Sequence, residues 1–211
     1  MENMLKTGTT TLGLVCKDGI VLAADTRATA GNLIVDKRAK KVHVISEDVA
    51  VTIAGSVSEA QLLIKLIGAE LKLKEIRTNK KPTIKASANL LGSLLYSTLR
   101  RMSMFPAVAH FIMAGKDPEG THLYDLFPDG SVTKIRDYVS SGSGSVFAYG
   151  VLESQYDSNM STKDGVKLAI KAVNAALQRD SYSGNGIDVA VITPTKVEKV
   201  FKKELNYSLE K

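Results

Sequence analysis

"KTGTTTLGLV", residues 6–15, places three consecutive threonines after a glycine and then runs apolar. One reading is local: threonine is β-branched and suits the pleated surface of a strand. The other is chemical. Cleavage of the Gly8–Thr9 bond would give Thr9 a nucleophilic hydroxyl and a free α-amine on one residue. Both readings begin the fold with a buried strand, and the remaining elements follow from it.

Residues 9–16 (TTTLGLVC) alternate faces, pass through the turn Lys17-Asp18-Gly19 and return as IVLAADTRAT (20–29), a hairpin pattern. KKVHVI (40–45) and VAVTIAG (49–55), joined by Ser46-Glu47-Asp48, form a second pair. After Gly55 the period changes. Residues 56–77 and 83–102 carry apolar side chains at helical spacing, with Ser56 or Ser58 available to cap the first. Strands return at 107–117, 121–135 (turn at Pro128-Asp129-Gly130) and 136–142, helices at 145–156 and 161–180, and a strand pair at 186–200. Runs of strands alternating with pairs of helices indicate the α+β class. Two sheets, each covered by a helix pair, predict a four-layer αββα sandwich.

The 211 residues are 44% hydrophobic and 6% aromatic with no Trp, so Leu, Ile, Val and Ala fill the core of one domain. Net charge is +6, carried mainly in residues 71–85 and 196–211. Both stretches mix in acids and lack interleaved aromatics, which reads as solvated surface rather than a nucleic-acid path. No apolar run approaches the roughly 20 residues of a membrane span. MENMLKTG (1–8) has no apolar centre of the secretory kind. Cys16 is the single cysteine, which excludes an intrachain disulfide and fits a cytoplasmic location.

Several site types fail on spacing. SGSGS (141–145) is not a nucleophile elbow, because no serine in it has glycine at both flanking second positions, and it lacks the third glycine of a dinucleotide fingerprint. His43, His110 and His122 carry no metal spacing and read as strand or turn residues. Cys16 reads as a small core hydrophobe. Thr9 remains. Its α-amine, once free, has an unperturbed pKa of about 7.7–8.0 and can take the hydroxyl proton itself. The scheme needs a cation and a carboxylate nearby and an N–H donor for the oxyanion.

Six blocks carry a family resemblance: TGTTTLGLV (7–15), AADTRAT (23–29), KKVHVI (40–45), TIAGS (52–56), SSGSGSVFAYGVLESQY (140–156) and QRDSYSGNGIDVAVI (178–192). Together they resemble the archaeal β-type proteasome subunits, members of the N-terminal nucleophile hydrolases, over residues 7–193. The resemblance implies the αββα fold and makes Thr9 the nucleophile, Asp25 the carboxylate and Lys41 the buried lysine. It implies that Gly55 donates its N–H to the oxyanion and that Ser143, Asp180 and Ser183 hydrogen-bond around the Thr9 amine. Ala28, Ala39, Ile53 and Val57 would line the specificity pocket and favour apolar residues.

On that resemblance residues 1–8 are a propeptide removed at Gly8–Thr9, and 9–211 are the catalytic domain of a threonine endopeptidase that degrades unfolded proteins. Implied partners are other β subunits in a seven-membered ring, proteasome α subunits and a regulatory ATPase, with no metal, organic cofactor, nucleic acid or membrane. Two other readings share the fold: a non-catalytic ring subunit and a small-molecule amidase. The retained Thr9, Asp25 and Lys41 speak against the first. The lack of a second substrate domain speaks against the other.

Overall fold

The computed structural model describes residues 8–102 and 108–205; of the expected propeptide 1–8, residues 1–7 lie outside them. β1 (Thr11–Cys16) turns into β2 (Gly19–Asp25), and two short strands, β3 (Ala28–Ala30) and β4 (Leu33–Asp36), follow as a separate hairpin. β5 (Val42–Val44), β6 (Val49–Gly55), β7 (Ala109–Asp117), β8 (Gly120–Leu126) and β9 (Val132–Ile135) make one five-stranded sheet in chain order. The other runs β10-β1-β2-β11-β12, with β10 (Tyr138–Ser141), β11 (Gly186–Ile192) and β12 (Val197–Glu204) joining the first hairpin. α1 (Val57–Thr78) and α2 (Ile84–Leu99) interrupt the first sheet, while α3 (Ser145–Gln155) and α4 (Thr162–Arg179) interrupt the second.

Four layers have three interfaces, and the buried side chains divide accordingly. Val49, Val51, Phe111 and Met113 pack with Leu63, Ile67 and Leu91 between the first sheet and α1–α2. Leu12, Leu14, Val21 and Val189 pack with Ala148, Leu152, Ala172 and Val173 between the second sheet and α3–α4. Ile20, Leu22, Ile112, Leu123 and Ile192 fill the space between the sheets. Successive strand residues point to opposite faces, so β2 sends Ile20 and Leu22 inward to the other sheet while Val21 and Ala23 face the helices. Both faces of these central strands are covered, which is why their sequence is apolar throughout. Cys16 lies in the helix-facing core, and burial, reinforced by Asp18 and Asp164, pushes its thiol up to about 12. It behaves as an inert hydrophobe. No helix among the described residues is long and apolar enough to cross a membrane.

Element boundaries differ from expectation at informative places. The strand expected over 20–29 ends at Asp25, because the Asp25 carboxylate turns back to accept from the Arg27 N–H at 3.0 Å. The second helix, expected to 102, ends at Leu99. Ser56 does occupy the N-cap position of α1, but its side chain caps nothing; its hydroxyl lies 3.3 Å from that of Ser58.

Candidate active site

Thr9 sits just before β1, buried at 5% exposure, with its amide still bonded to Gly8. Its hydroxyl donates to the Gly8 carbonyl oxygen at 2.7 Å, beside the carbonyl carbon that it would attack. A side chain at position 8 has no room, since a Cβ there would lie 1.8 Å from the Tyr182 Cβ.

Antiparallel pairing of β1 with β2 brings the end of β2 to the start of β1, and Asp25 and Thr10 exchange bonds there. Asp25 N–H donates to the Thr10 carbonyl at 3.0 Å, and Thr10 N–H donates to Asp25 Oδ1 at 3.0 Å. Oδ1 also accepts from Lys41 Nζ at 2.6 Å, while Oδ2 accepts from the Arg27 and Gly184 amides at 3.0 and 2.9 Å. Four donors on a fully buried carboxylate satisfy a charge that would otherwise be costly. Lys41 immediately precedes β5 of the opposite sheet, so the pair ties the sheets together. Burial pulls the Lys41 ammonium below its ordinary value, and Asp25 works against that shift.

On the other side of Thr9, its N–H donates to Ser143 Oγ at 3.2 Å, and Ser143 Oγ donates to Asp180 Oδ2 at 2.6 Å. Ser183 Oγ donates to the same oxygen at 2.6 Å. Because that proton is committed, the Thr10 hydroxyl donates to Ser183 Oγ at 2.7 Å. The Gly144 amide holds the Thr9 carbonyl at 3.3 Å. Of the three expected residues only Ser143 touches the Thr9 nitrogen. Asp180 stands behind it through Ser143, and Ser183 bonds Asp180 and Thr10 instead. The three come from a loop, the end of α4 and the loop beyond it.

A cavity of about 450 Å³ opens beside Thr9, bounded by Lys41 and Gly55. Ala28, Ala39, Ile53 and Val57 all line it, as do Asp36, Lys40, His43 and Gln61. The lining is therefore more polar than the four expected residues alone suggest. Burial holds His43 below its ordinary pKa, and its Nε2 donates to the Lys40 carbonyl at 2.8 Å. Gly55 ends β6 with φ at +98°, and a Cβ there would lie 2.3 Å from the Val108 carbonyl oxygen. Only glycine fits that approach. Among the described residues no group of three or more His, Cys, Asp or Glu side chains converges to hold a metal.

Compared with known protein families, residues 5–192 match one described as proteasome subunit. The chain belongs to the proteasome subunit family. It is 46% identical over 199 residues to a proteasome subunit beta of Methanocaldococcus vulcanius, covering 94% of this chain and 87% of that one. Identity to a proteasome subunit beta of Archaeoglobus profundus is 45% over 206 residues, 98% of this chain and 94% of the relative. With that of Archaeoglobus fulgidus it is 43% over 211 residues, 96% and 97% of the two chains.

Sequence reasoning missed the contacts that build the proteasome-type site from behind. Arg27 Nε donates to Asn185 Oδ1 at 2.7 Å, and its Nη1 donates to the Ser181 carbonyl at 2.8 Å. Its guanidinium covers Gly184, where a Cβ would meet it at 2.3 Å. Asn185 adopts φ +65°, a conformation that asparagine tolerates better than most residues. The signal available was the turn-like Gly184-Asn185-Gly186; nothing in it named Arg27 as the partner.

Proposed function

We propose that the chain is the catalytic β subunit of a proteasome core particle, a threonine endopeptidase with Thr9 as nucleophile once residues 1–8 have been removed. The observation that carries the reading is the Thr9 hydroxyl at 2.7 Å from the Gly8 carbonyl oxygen, beside the cavity and next to the Lys41–Asp25 pair.

The leader comes off by the same chemistry that later cuts substrate. Thr9 Oγ attacks the Gly8 carbonyl carbon, the C–N bond breaks, and the hydroxyl proton ends on the departing Thr9 nitrogen. Water then hydrolyses the Gly8 ester. The freed amine inherits Ser143 as its hydrogen-bond partner, with Asp180 behind it. In turnover that amine accepts the Thr9 hydroxyl proton, the Lys41 ammonium stabilises the developing oxygen charge, and the Gly55 N–H receives the tetrahedral oxyanion. Loss of the amine product leaves an acyl ester on Thr9, which an amine-held water cleaves.

Assembly with other subunits into the core particle follows from the family. Beyond it, we take the β subunits to form a seven-membered ring, two rings to stack, and α-subunit rings to cap them. A cytoplasmic ATPase would feed unfolded polypeptides through the caps. The scheme calls on no metal or organic cofactor.

Intact mass of the chain assembled with its α partner tests the reading. The mass should correspond to a chain beginning at Thr9. A mature chain beginning at Thr10 or Thr11 overturns the nucleophile. Thr9→Ala should keep the leader and abolish peptide hydrolysis.

A further inference from the structure

Lys41–Asp25 is not the only polar tie between the sheets near Thr9. His110 on β7 has Nε2 at 2.6 Å from Asp125 Oδ1 on β8, and Nδ1 at 2.7 Å from the Ser141 hydroxyl at the end of β10. β7 and β8 lie in one sheet and β10 in the other. A carboxylate only accepts, so Nε2–H donates to Asp125, and in the neutral ring Nδ1 accepts a hydrogen bond from the Ser141 hydroxyl. The ring also packs on Phe127, with centroids 4.5 Å apart. Side-chain exposure is 16% for His110 and 7% for Asp125.

A serine, a histidine and an aspartate in a chain invite comparison with a second nucleophile. Ser141 does not serve as one: it is held in strand pairing opposite Thr11 and, unlike Thr9, does not line the cavity. Its position points elsewhere. His110 pairs across the ladder with Ala54, the residue before Gly55. Ser141 directly precedes Gly142, Ser143 and Gly144, where the Ser143 hydroxyl and the Gly144 amide hold the Thr9 nitrogen and carbonyl. The imidazole therefore spans from the strands that carry the oxyanion donor to the loop that grips the nucleophile.

We propose that His110 is a positioning residue that, with Asp125 fixing its ring, sets the separation of Gly55 and Thr9 by holding Ser141 across the two sheets. The proposal rests on the reading of Thr9 as nucleophile. Misplacement of reacting groups by about 1 Å can cost on the order of 100-fold in rate. Apart from Gly8 and Thr9 the cavity is lined by residues between 28 and 61, and none of His110, Asp125 and Ser141 is among them, so the Ala28, Ala39 and Val57 walls stay in place when the tie is cut. Loss of the tie therefore appears in kcat and not in KM.

The experiment uses the full chain assembled with its α partner, with turnover counted per chain whose intact mass begins at Thr9. His110→Phe should lower kcat by about 10-fold or more and leave KM within roughly twofold. Asparagine puts its amide near the position of Nδ1 and keeps the bond to Ser141; glutamine puts it near Nε2 and keeps only the bond to Asp125. His110→Asn should therefore restore more of kcat than His110→Gln. Ser141→Ala, a small change that removes the tie from its other end, should reproduce the loss and add nothing to His110→Phe. Normal kcat in His110→Phe or Ser141→Ala overturns the proposal, as does a loss carried by KM or glutamine performing as well as asparagine. Thr9→Ala is read alongside. Activity surviving in that variant removes the nucleophile and with it the frame of the proposal, whereas activity lost there with His110 variants at full speed removes only the role of His110.

Discussion

Lys41 is buried at 5% exposure, and its ammonium has Asp25 as its partner at 2.6 Å. Burial makes the folded chain release this proton more readily than an exposed lysine, whose ordinary value is 10.5. Across the window between the lowered folded value and 10.5 the unfolded chain binds more protons, so this residue's contribution makes stability rise with pH there. Activity should move the opposite way. If the ammonium stabilises charge on Thr9 Oγ, turnover falls on the alkaline side at a pH below the ordinary lysine range, and a pH–rate profile measures it. Lys41→Met separates charge from packing. Asp25 keeps its amide donors Thr10, Arg27 and Gly184, so the fold should survive. Turnover should nonetheless drop on the order of 100-fold, as when an oxyanion donor is lost. Arginine keeps the charge on a wide planar fork and should not rescue. Chains expressed to begin at Thr9 remove processing as a confounding step. Near-normal turnover in Lys41→Met would sink the role given to this lysine.

At the scale of elements, the strands and helices that bury a face were legible and the connections that build the site were not. β2 and β6 read clearly because both their faces are covered, and α4 because its Leu168, Ala172, Val173 and Ala176 recur at helical spacing on a buried face. β4 went unread because Leu33, Ile34, Val35 and Asp36 are all exposed, so no alternation of burial marks it. The loop 142–144 was quoted for its serine, but its glycines bear as directly on Thr9. Gly142 has φ +93°, and a Cβ would lie 2.0 Å from the Thr9 carbonyl oxygen. Gly142→Ala must therefore push on the backbone of Thr9, the proposed nucleophile. Gly31 offers the contrast: φ is +59°, yet nothing lies within 4 Å of a Cβ placed there. Gly31→Ala should cost only backbone strain, about 1–2 kcal/mol, with kcat unchanged. Gly142→Ala should lower the melting temperature further and reduce kcat by 10-fold or more, on the order seen for misplaced reacting groups. Equal kcat in the two variants would show that the 142–144 loop does not hold Thr9 in place.

The whole molecule adds what no single element supplies. The sandwich order was readable from the succession of strands and helices, and the family blocks pointed to Thr9, Asp25 and Lys41 as one group. The cavity was less legible, because its walls come from β3, β4, β5, β6 and the start of α1, and polar residues from those elements enter it unannounced. Asp36 is exposed, and its Oδ1 already accepts from the Arg38 amide at 2.7 Å. His43 is held toward its neutral form by burial, and Lys41 is paired with Asp25. Lys40 is the remaining charged residue of the lining and is exposed, so on the proposed reading Ala28, Ala39, Ile53 and Val57 would select the substrate side chain. Cleavage should favour apolar residues on the acyl side of the scissile bond. The preference should be broad, since one methylene in such a pocket is worth only about 1–3 kcal/mol. Ile53→Arg places a cation on the 7%-exposed wall and should shift cleavage toward acidic residues. Fluorogenic peptides differing only in that residue measure both effects. If those with basic ends are the best substrates of the unchanged enzyme, Asp36 governs the pocket and the apolar assignment is wrong.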